Sequence, residues 1–108
     1  MDGKLIDFLV SSGGAGLDEV IARVPSRPHK LIEALQEMQQ KGFIQVVGPK
    51  TVGDLDELVT AVRRANGYDA GSKDYQRRAV LREIFSKSVE FSKTNVRLST
   101  PGYAFALN

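Results

Sequence analysis

Over the first fifty positions apolar residues recur at helical spacing, with glycine and proline marking the breaks. Lys4 to Val10 is apolar at 5, 6, 8, 9 and 10 and predicts a short, mostly buried first helix. Ser11-Ser12-Gly13-Gly14-Ala15-Gly16 predicts a turn, since three glycines and two serines do not sustain a helix. Leu17, Val20, Ile21 and Val24 fall at i, i+3, i+4 and i+7 and predict a second helix with one buried stripe. Asp18 and Glu19 occupy its first turn, where the helix dipole favours acids, and Pro25 ends it. A third helix is predicted from about Arg27 to Lys41, with Ser26 as its cap and Pro28 in a first turn that has no use for the missing N–H. Leu31, Leu35 and Met38 line its inner face, and Gly42 suits a left-handed C-terminal cap. Phe43-Ile44-Gln45-Val46-Val47 follows as a β-rich run that Gly48-Pro49 closes.

The pattern continues beyond residue 50. Asp54-Leu55-Asp56-Glu57 offers a helix cap with an acid three residues later. Leu55, Leu58, Val59 and Val62 then keep helical spacing until Asn66-Gly67. Residues 67–72 predict a loop, and Lys73 to about Lys87 another helix, apolar at Val80, Leu81, Ile84 and Phe85. Val89-x-Phe91 and Val96-x-Leu98 alternate around Lys93-Thr94-Asn95 and predict a hairpin with a short polar turn.

Two short helices with a tight turn, a third ending Leu35-x-x-Met38-x-x-x-Gly42-Phe43-Ile44, and then a strand resemble the winged helix-turn-helix of many transcription regulators. The usual form of that ending is Leu-x-x-Leu-x-x-x-Gly-Leu-Ile. Val96-Arg97-Leu98-Ser99-Thr100-Pro101-Gly102-Tyr103 resembles the last wing strand running into a C-terminal helix, commonly Leu-Thr-x-x-Gly. In that pattern Ser99 is the N-cap and Pro101 lies inside the first turn. The resemblance implies an α+β, mainly helical winged-helix domain over residues 1–108, with a small antiparallel sheet. A wing normally joins its strands by a short loop; here residues 48–88 intervene, giving a two-helix insertion before the wing hairpin.

Composition narrows the chemistry. One hundred and eight residues suit one core. Without cysteine there is no disulfide, thiolate metal site or thiol nucleophile, and a reducing cytoplasm is the default expectation. No apolar run approaches the roughly 18 residues of a membrane span, and the N-terminus lacks the pattern of an export signal. His29 is the only histidine, and no acid stands at metal-ligand spacing from it. Gly13-Gly14-Ala15-Gly16 precedes a helix, but without a strand before it or a lysine after it the run reads as a turn, not a phosphate loop. No catalytic residue, metal or cofactor is therefore expected, and the chain is not read as an enzyme.

Binding has more support. Residues 1–59 carry six bases against nine acids, whereas residues 60–108 carry nine bases against four, an asymmetry that suits one face to a polyanion. The outer side of the third helix holds Ser26, His29, Glu33, Gln36 and Gln40, flanked by Lys30 and Glu37. The resemblance implies that its N-terminal half enters the major groove of DNA. Arg27 and Lys30 then reach guanine edges or phosphates, and Gln36 reaches adenine if the groove admits the helix that deeply. Glu33 and Glu37 repel phosphate, although glutamate can accept from cytosine. Arg78 and Arg82, i and i+4 on one flank, are suited to straddle phosphates, while Arg77 falls on the apolar row. Lys93 and Asn95 are expected at the hairpin tip with Arg97 just inside, where wings touch the minor groove or the backbone. The bland alternatives are solvated helix faces, ordinary turn residues at Lys93 and Asn95, and a sheet-edge charge at Arg97.

The expectation is a cytoplasmic winged-helix protein that binds double-stranded DNA, a small transcriptional or replication-associated regulator and a candidate homodimer with no membrane partner. One alternative is a winged helix used for protein–protein contact or dimerisation, with the inserted helices as its surface. Another is a ligand-sensing regulator whose inserted helices line a pocket.

Overall fold

Helix ends in this protein are set by individual side chains and glycines. A computed structural model describes the backbone of residues 2–66 and 89–108 and the side chains of 2–60 and 89–108. Helix α1 spans Gly3–Ser12; the Asp2 carboxylate accepts from the N–H groups of Lys4 (2.9 Å) and Leu5 (3.2 Å), and Gly13 at φ 71° ends it. It runs two residues past the predicted Val10. The Ser11 hydroxyl donates to the Asp7 carbonyl within the helix, so the break waits for Gly13. Ala15–Gly16 is a short strand, β1, where only a turn was expected. Helix α2, Leu17–Arg23, follows directly.

Helix α3 spans Pro28–Gln40, and its N-cap is Arg27, with no side-chain cap hydrogen bond. The predicted cap, Ser26, stands one residue too early, and its hydroxyl acts instead to lower the pKa of Asp2. Gly42 terminates α3 as expected, at φ 76°, with its N–H donating to Gln39 O (3.1 Å) and that of Phe43 to Met38 O (2.8 Å). These bonds satisfy carbonyls that the last helical turn leaves open. Strand β2 is Ile44–Val47, and helix α4 is Val52–Asn66. The cap of α4 is Thr51 and not Asp54: Thr51 Oγ1 accepts from Asp54 N (3.1 Å) while Asp54 Oδ2 accepts from Thr51 N (2.9 Å). This reciprocal pair places the cap three residues before the predicted Asp54. The second predicted insertion helix, residues 73–87, lies outside the described residues.

After residue 88 come helix α5, Val89–Ser92, strand β3, Asn95–Leu98, and helix α6, Thr100–Leu107. Ser99 caps α6 by accepting from Gly102 N at 3.1 Å, as the sequence predicted. The predicted hairpin between 89–91 and 96–98 is overturned. In a strand, residues 89 and 91 would share a face, yet Phe91 is 4% exposed and Val89 67%. The true partner of β3 is β2, antiparallel, with Ile44 opposite Leu98, Gln45 opposite Arg97, Val46 opposite Val96 and Val47 opposite Asn95. On its other side β3 pairs antiparallel with β1, giving the order β1-β3-β2.

The described residues thus form a mainly helical α+β fold around a small three-stranded sheet. Leu5, Leu9, Leu17, Val20, Ile21, Leu31, Leu35, Met38 and Ile44 enter one buried cluster, as their periodicities predicted. Phe8 and Phe43, expected inside, are only half-buried against it. Ile32, outside the predicted inner row, is buried, and α4, packed on α3, adds Val52, Leu55 and Val59 to the same core.

Where the sheet gives way to residues 48–94, the two ends of that segment touch. Gly48 adopts φ 149°, and a Cβ there would lie 2.5 Å from Thr94 Cα. The buried Thr94 hydroxyl accepts from Lys50 N (3.0 Å) and donates to Glu90 O (2.9 Å). Residues 48–94 therefore leave and rejoin the sheet at one neck. No helix among the described residues is long and apolar enough to cross a membrane.

Candidate nucleic-acid interface

Burial on one side of α3 determines what its other side can offer. With Leu31, Leu35 and Met38 inward, Arg27, Lys30, Glu33, Gln36 and Glu37 are exposed, and Ser26 and His29 are half-buried. The bases stand at the N-terminal end of this face and the carboxylates further along it. Glu37 is partly neutralised by Lys41 one turn on (3.1 Å), an exposed pair that contributes little stability. Asp2, Lys30, Glu33, Ala34 and Glu37 border a shallow hollow, so three carboxylates surround Lys30.

Asp2 stays ionised there. Burial pushes its carboxyl up, but the Ser26 hydroxyl, the N–H groups of Leu5 and Lys4 and the Lys4 charge together hold it below the usual carboxylate range. At the start of α4 the Asp54 carboxyl is likewise held low, by the N–H and hydroxyl of Thr51.

Helix α4 also brings a charge that spacing within α3 did not reveal. Asp56 Oδ1 lies 3.6 Å from His29 Nδ1, with the two side chains 44% and 32% exposed. That distance is beyond a hydrogen bond and sets the carboxylate beside the Nδ1 edge of the ring.

The second group of candidates sits on the sheet. Lys93, Asn95 and Arg97 are all exposed, but not as a hairpin tip. Lys93 lies in the turn between α5 and β3, its carbonyl against Gly48, at the neck of the insertion. Asn95 and Arg97 project from the central strand on the side opposite the buried Val96 and Leu98. Arg97 is therefore not an edge charge; its Nε donates to Gln45 Oε1 on β2 at 3.1 Å, directly across the pair. Gln45 was missed as a candidate, although alternation with the buried Ile44 marks it as outward-facing. Lys50 was missed too: its Nζ pairs with Glu90 (3.3 Å) and stands 5.7 Å from the centre of the Phe91 ring. Arg78 and Arg82 lie outside the described residues.

The surface thus offers Arg27, Lys30 and Gln36 on α3 and Lys93, Asn95 and Arg97 on or beside β3, with acids between and beside them. Among the described residues no three His, Asp or Glu side chains gather closely enough to hold a metal ion. No protein-family model matches the chain, nor does any curated protein or solved structure.

Proposed function

We propose that the chain is a non-catalytic winged-helix module that binds double-stranded DNA, with the N-terminal half of α3 directed to base edges and the β2–β3 pair to the backbone. The supporting observation is the joint between the two segments that carry the winged-helix resemblance. Ser99 donates its hydroxyl hydrogen to Gly42 O and its N–H to Phe43 O (2.9 Å), and Gly102 packs against that same Phe43 carbonyl. Residues 38–44 and 98–102 are therefore one structural unit, closing a sheet against three helices, as a winged helix requires. On this reading residues 48–94 are an insertion within the wing. The role that follows is a small cytoplasmic regulator of transcription or replication. Self-association through the inserted segment as a two-fold dimer completes the proposal, and light scattering at high micromolar concentration should return twice the chain mass.

A winged helix on a duplex must neutralise phosphates, and each one steepens the fall of affinity with salt. Fluorescence anisotropy on a generic duplex across a salt series tests this. Lys93→Ala with Arg97→Ala should weaken binding to all duplexes alike and flatten the salt slope. Arg27→Ala or Lys30→Ala should instead erode preference among sites, by about 1–3 kcal/mol for a lost bidentate base contact. The carboxylates of Glu33, Glu37 and Asp56 favour a second reading, in which α3 meets a protein. Absence of duplex binding even at low salt would leave that reading in possession of the face.

A further inference from the structure

We propose that Asp56, on the inserted helix α4, positions the proton on His29 so that His29 reads DNA as a hydrogen-bond acceptor, selecting a base that displays an exocyclic amino group in the major groove. This rests on the DNA-binding reading above and specifies what one residue of that face recognises.

A neutral imidazole carries one proton, on either Nδ1 or Nε2, and the other nitrogen is a bare acceptor. His29 Nδ1 faces the Asp56 carboxylate at 3.6 Å. A bare lone pair on Nδ1 is repelled by that carboxylate, whereas an N–H is attracted, so the neutral ring places its proton on Nδ1. Nε2 is left as the acceptor. Among the described residues none hydrogen-bonds to it, and the side chain is one-third exposed. His29 is the second residue of α3, in the half that a helix-turn-helix aims at base edges. Its charged surroundings are Asp56 from α4 and, within α3, Lys30 and Glu33, with Arg27 just before the helix.

A bare nitrogen discriminates between bases. Adenine N6 and cytosine N4 present donors in the major groove, whereas guanine N7 and O6 and thymine O4 present acceptors that would face Nε2 unfavourably. His29 thus takes adenine or cytosine. The charge of Asp56 acts in the opposite sense on total affinity, because a carboxylate beside the helix repels phosphate. Asp56 therefore lowers affinity for every duplex while sharpening the choice among them.

Two measurements on the full chain test this. Because the chain has a single histidine, two-bond proton–nitrogen NMR of the imidazole reports its tautomer without overlap. The protein should show the Nδ1–H form and Asp56→Asn a mixture, since an amide can offer either its oxygen or its NH2 to Nδ1. Separately, a randomised duplex library yields a preferred site, and each position is then exchanged for the other three pairs. At one position adenine or cytosine on one particular strand should be favoured over guanine or thymine on that strand by at least about fivefold, the low end of a specific base contact. His29→Ala should abolish that preference. Asp56→Asn should cut the ratio while tightening binding overall, and Asp56→Glu should restore it. A purely repulsive Asp56 would raise affinity and keep the ratio, and a merely structural one would lower stability and affinity together; either result overturns the inference. So does an Nε2–H ring in the intact protein that still binds duplex. If no duplex binds at low salt while the ring is Nδ1–H, the DNA reading fails and base selection falls with it.

Discussion

Gly102→Ala is the sharpest test of how the C-terminal helix joins the rest of the molecule. A Cβ at residue 102 would lie 1.9 Å from the Phe43 carbonyl oxygen, 2.9 Å from its carbon and 3.1 Å from Leu98 Cδ2. Leu98 can rotate away, but a backbone carbonyl cannot. Relief requires α6 or the start of β2 to move by more than about 1 Å, judged against ordinary carbon contact distances. The same oxygen accepts the Ser99 N–H at 2.9 Å, so that movement also loosens a hydrogen bond. Overpacking costs about 1–3 kcal/mol and a weakened bond about 1 kcal/mol, against a helix-propensity gain of about 0.5–1 kcal/mol for alanine. The net loss is about 2–3 kcal/mol, which in a chain of this length lowers Tm by roughly 10–20 °C. Gly53→Ala is the matched control. Its new methyl would meet only Thr51 Oγ1, at 3.6 Å, so the same exchange should stabilise by about 0.5 kcal/mol. Urea and thermal unfolding followed by circular dichroism would give both values. Equal stability of Gly102→Ala and the parent protein would refute the close approach.

Leu35→Ala removes a fully buried side chain from the centre of α3 and should cost about 2–5 kcal/mol in urea unfolding. Thr94→Val keeps the shape of the buried side chain but strands the Lys50 N–H and the Glu90 carbonyl at the neck. It should cost about 1–3 kcal/mol and raise hydrogen exchange at Lys50. Asp2 has its pKa depressed in the folded chain, so its contribution to stability is present above the ordinary aspartate value. That contribution is lost as pH falls through that value, near pH 4, and on through its own lower one. Asp2→Asn should flatten the acid limb of a Tm–pH profile while changing its slope above pH 6 little.

What the sequence disclosed follows the range of the interactions involved. The α2 stripe, the Gly42 stop and the Ser99 cap all depend on groups within a few residues of one another, and each forms as spacing predicts. The failures involve partners far along the chain. Val89-x-Phe91 alternates over too few residues to distinguish a strand from a helical turn, and the bond that decides between them joins Thr94 to Lys50, 44 positions away. Ser26 had the chemistry of a cap, but Arg27 holds that position and the Ser26 hydroxyl acts on the Asp2 carboxylate from across the chain. The candidate face was legible as a row of polar residues on α3, yet its electrostatics were not. Asp56 reaches His29 only because α4 packs on α3, and no property of residues 26–41 announces it.

Distance along the chain also hides what the two motifs that resemble a winged helix encode. Leu-x-x-Met-x-x-x-Gly-Phe-Ile and Leu-Ser-x-x-Gly look like separate local signals, one ending a helix and one starting another. In the folded chain they are halves of a single contact. Gly42 needs a left-handed turn so that its carbonyl meets the Ser99 hydroxyl, and Gly102 needs no side chain so that α6 can rest on the Phe43 carbonyl. Phe105, one turn further along α6, then stacks on Phe43 with ring centres 4.8 Å apart. Strand pairing begins at the next residue, Ile44 opposite Leu98. The joint thus fixes one end of the β2–β3 pair, and the contacts of Gly48 and Lys50 with Thr94 fix the other. The segment between the two strands packs back on α3 through α4, and it is there that Asp56 comes to stand 3.6 Å from His29.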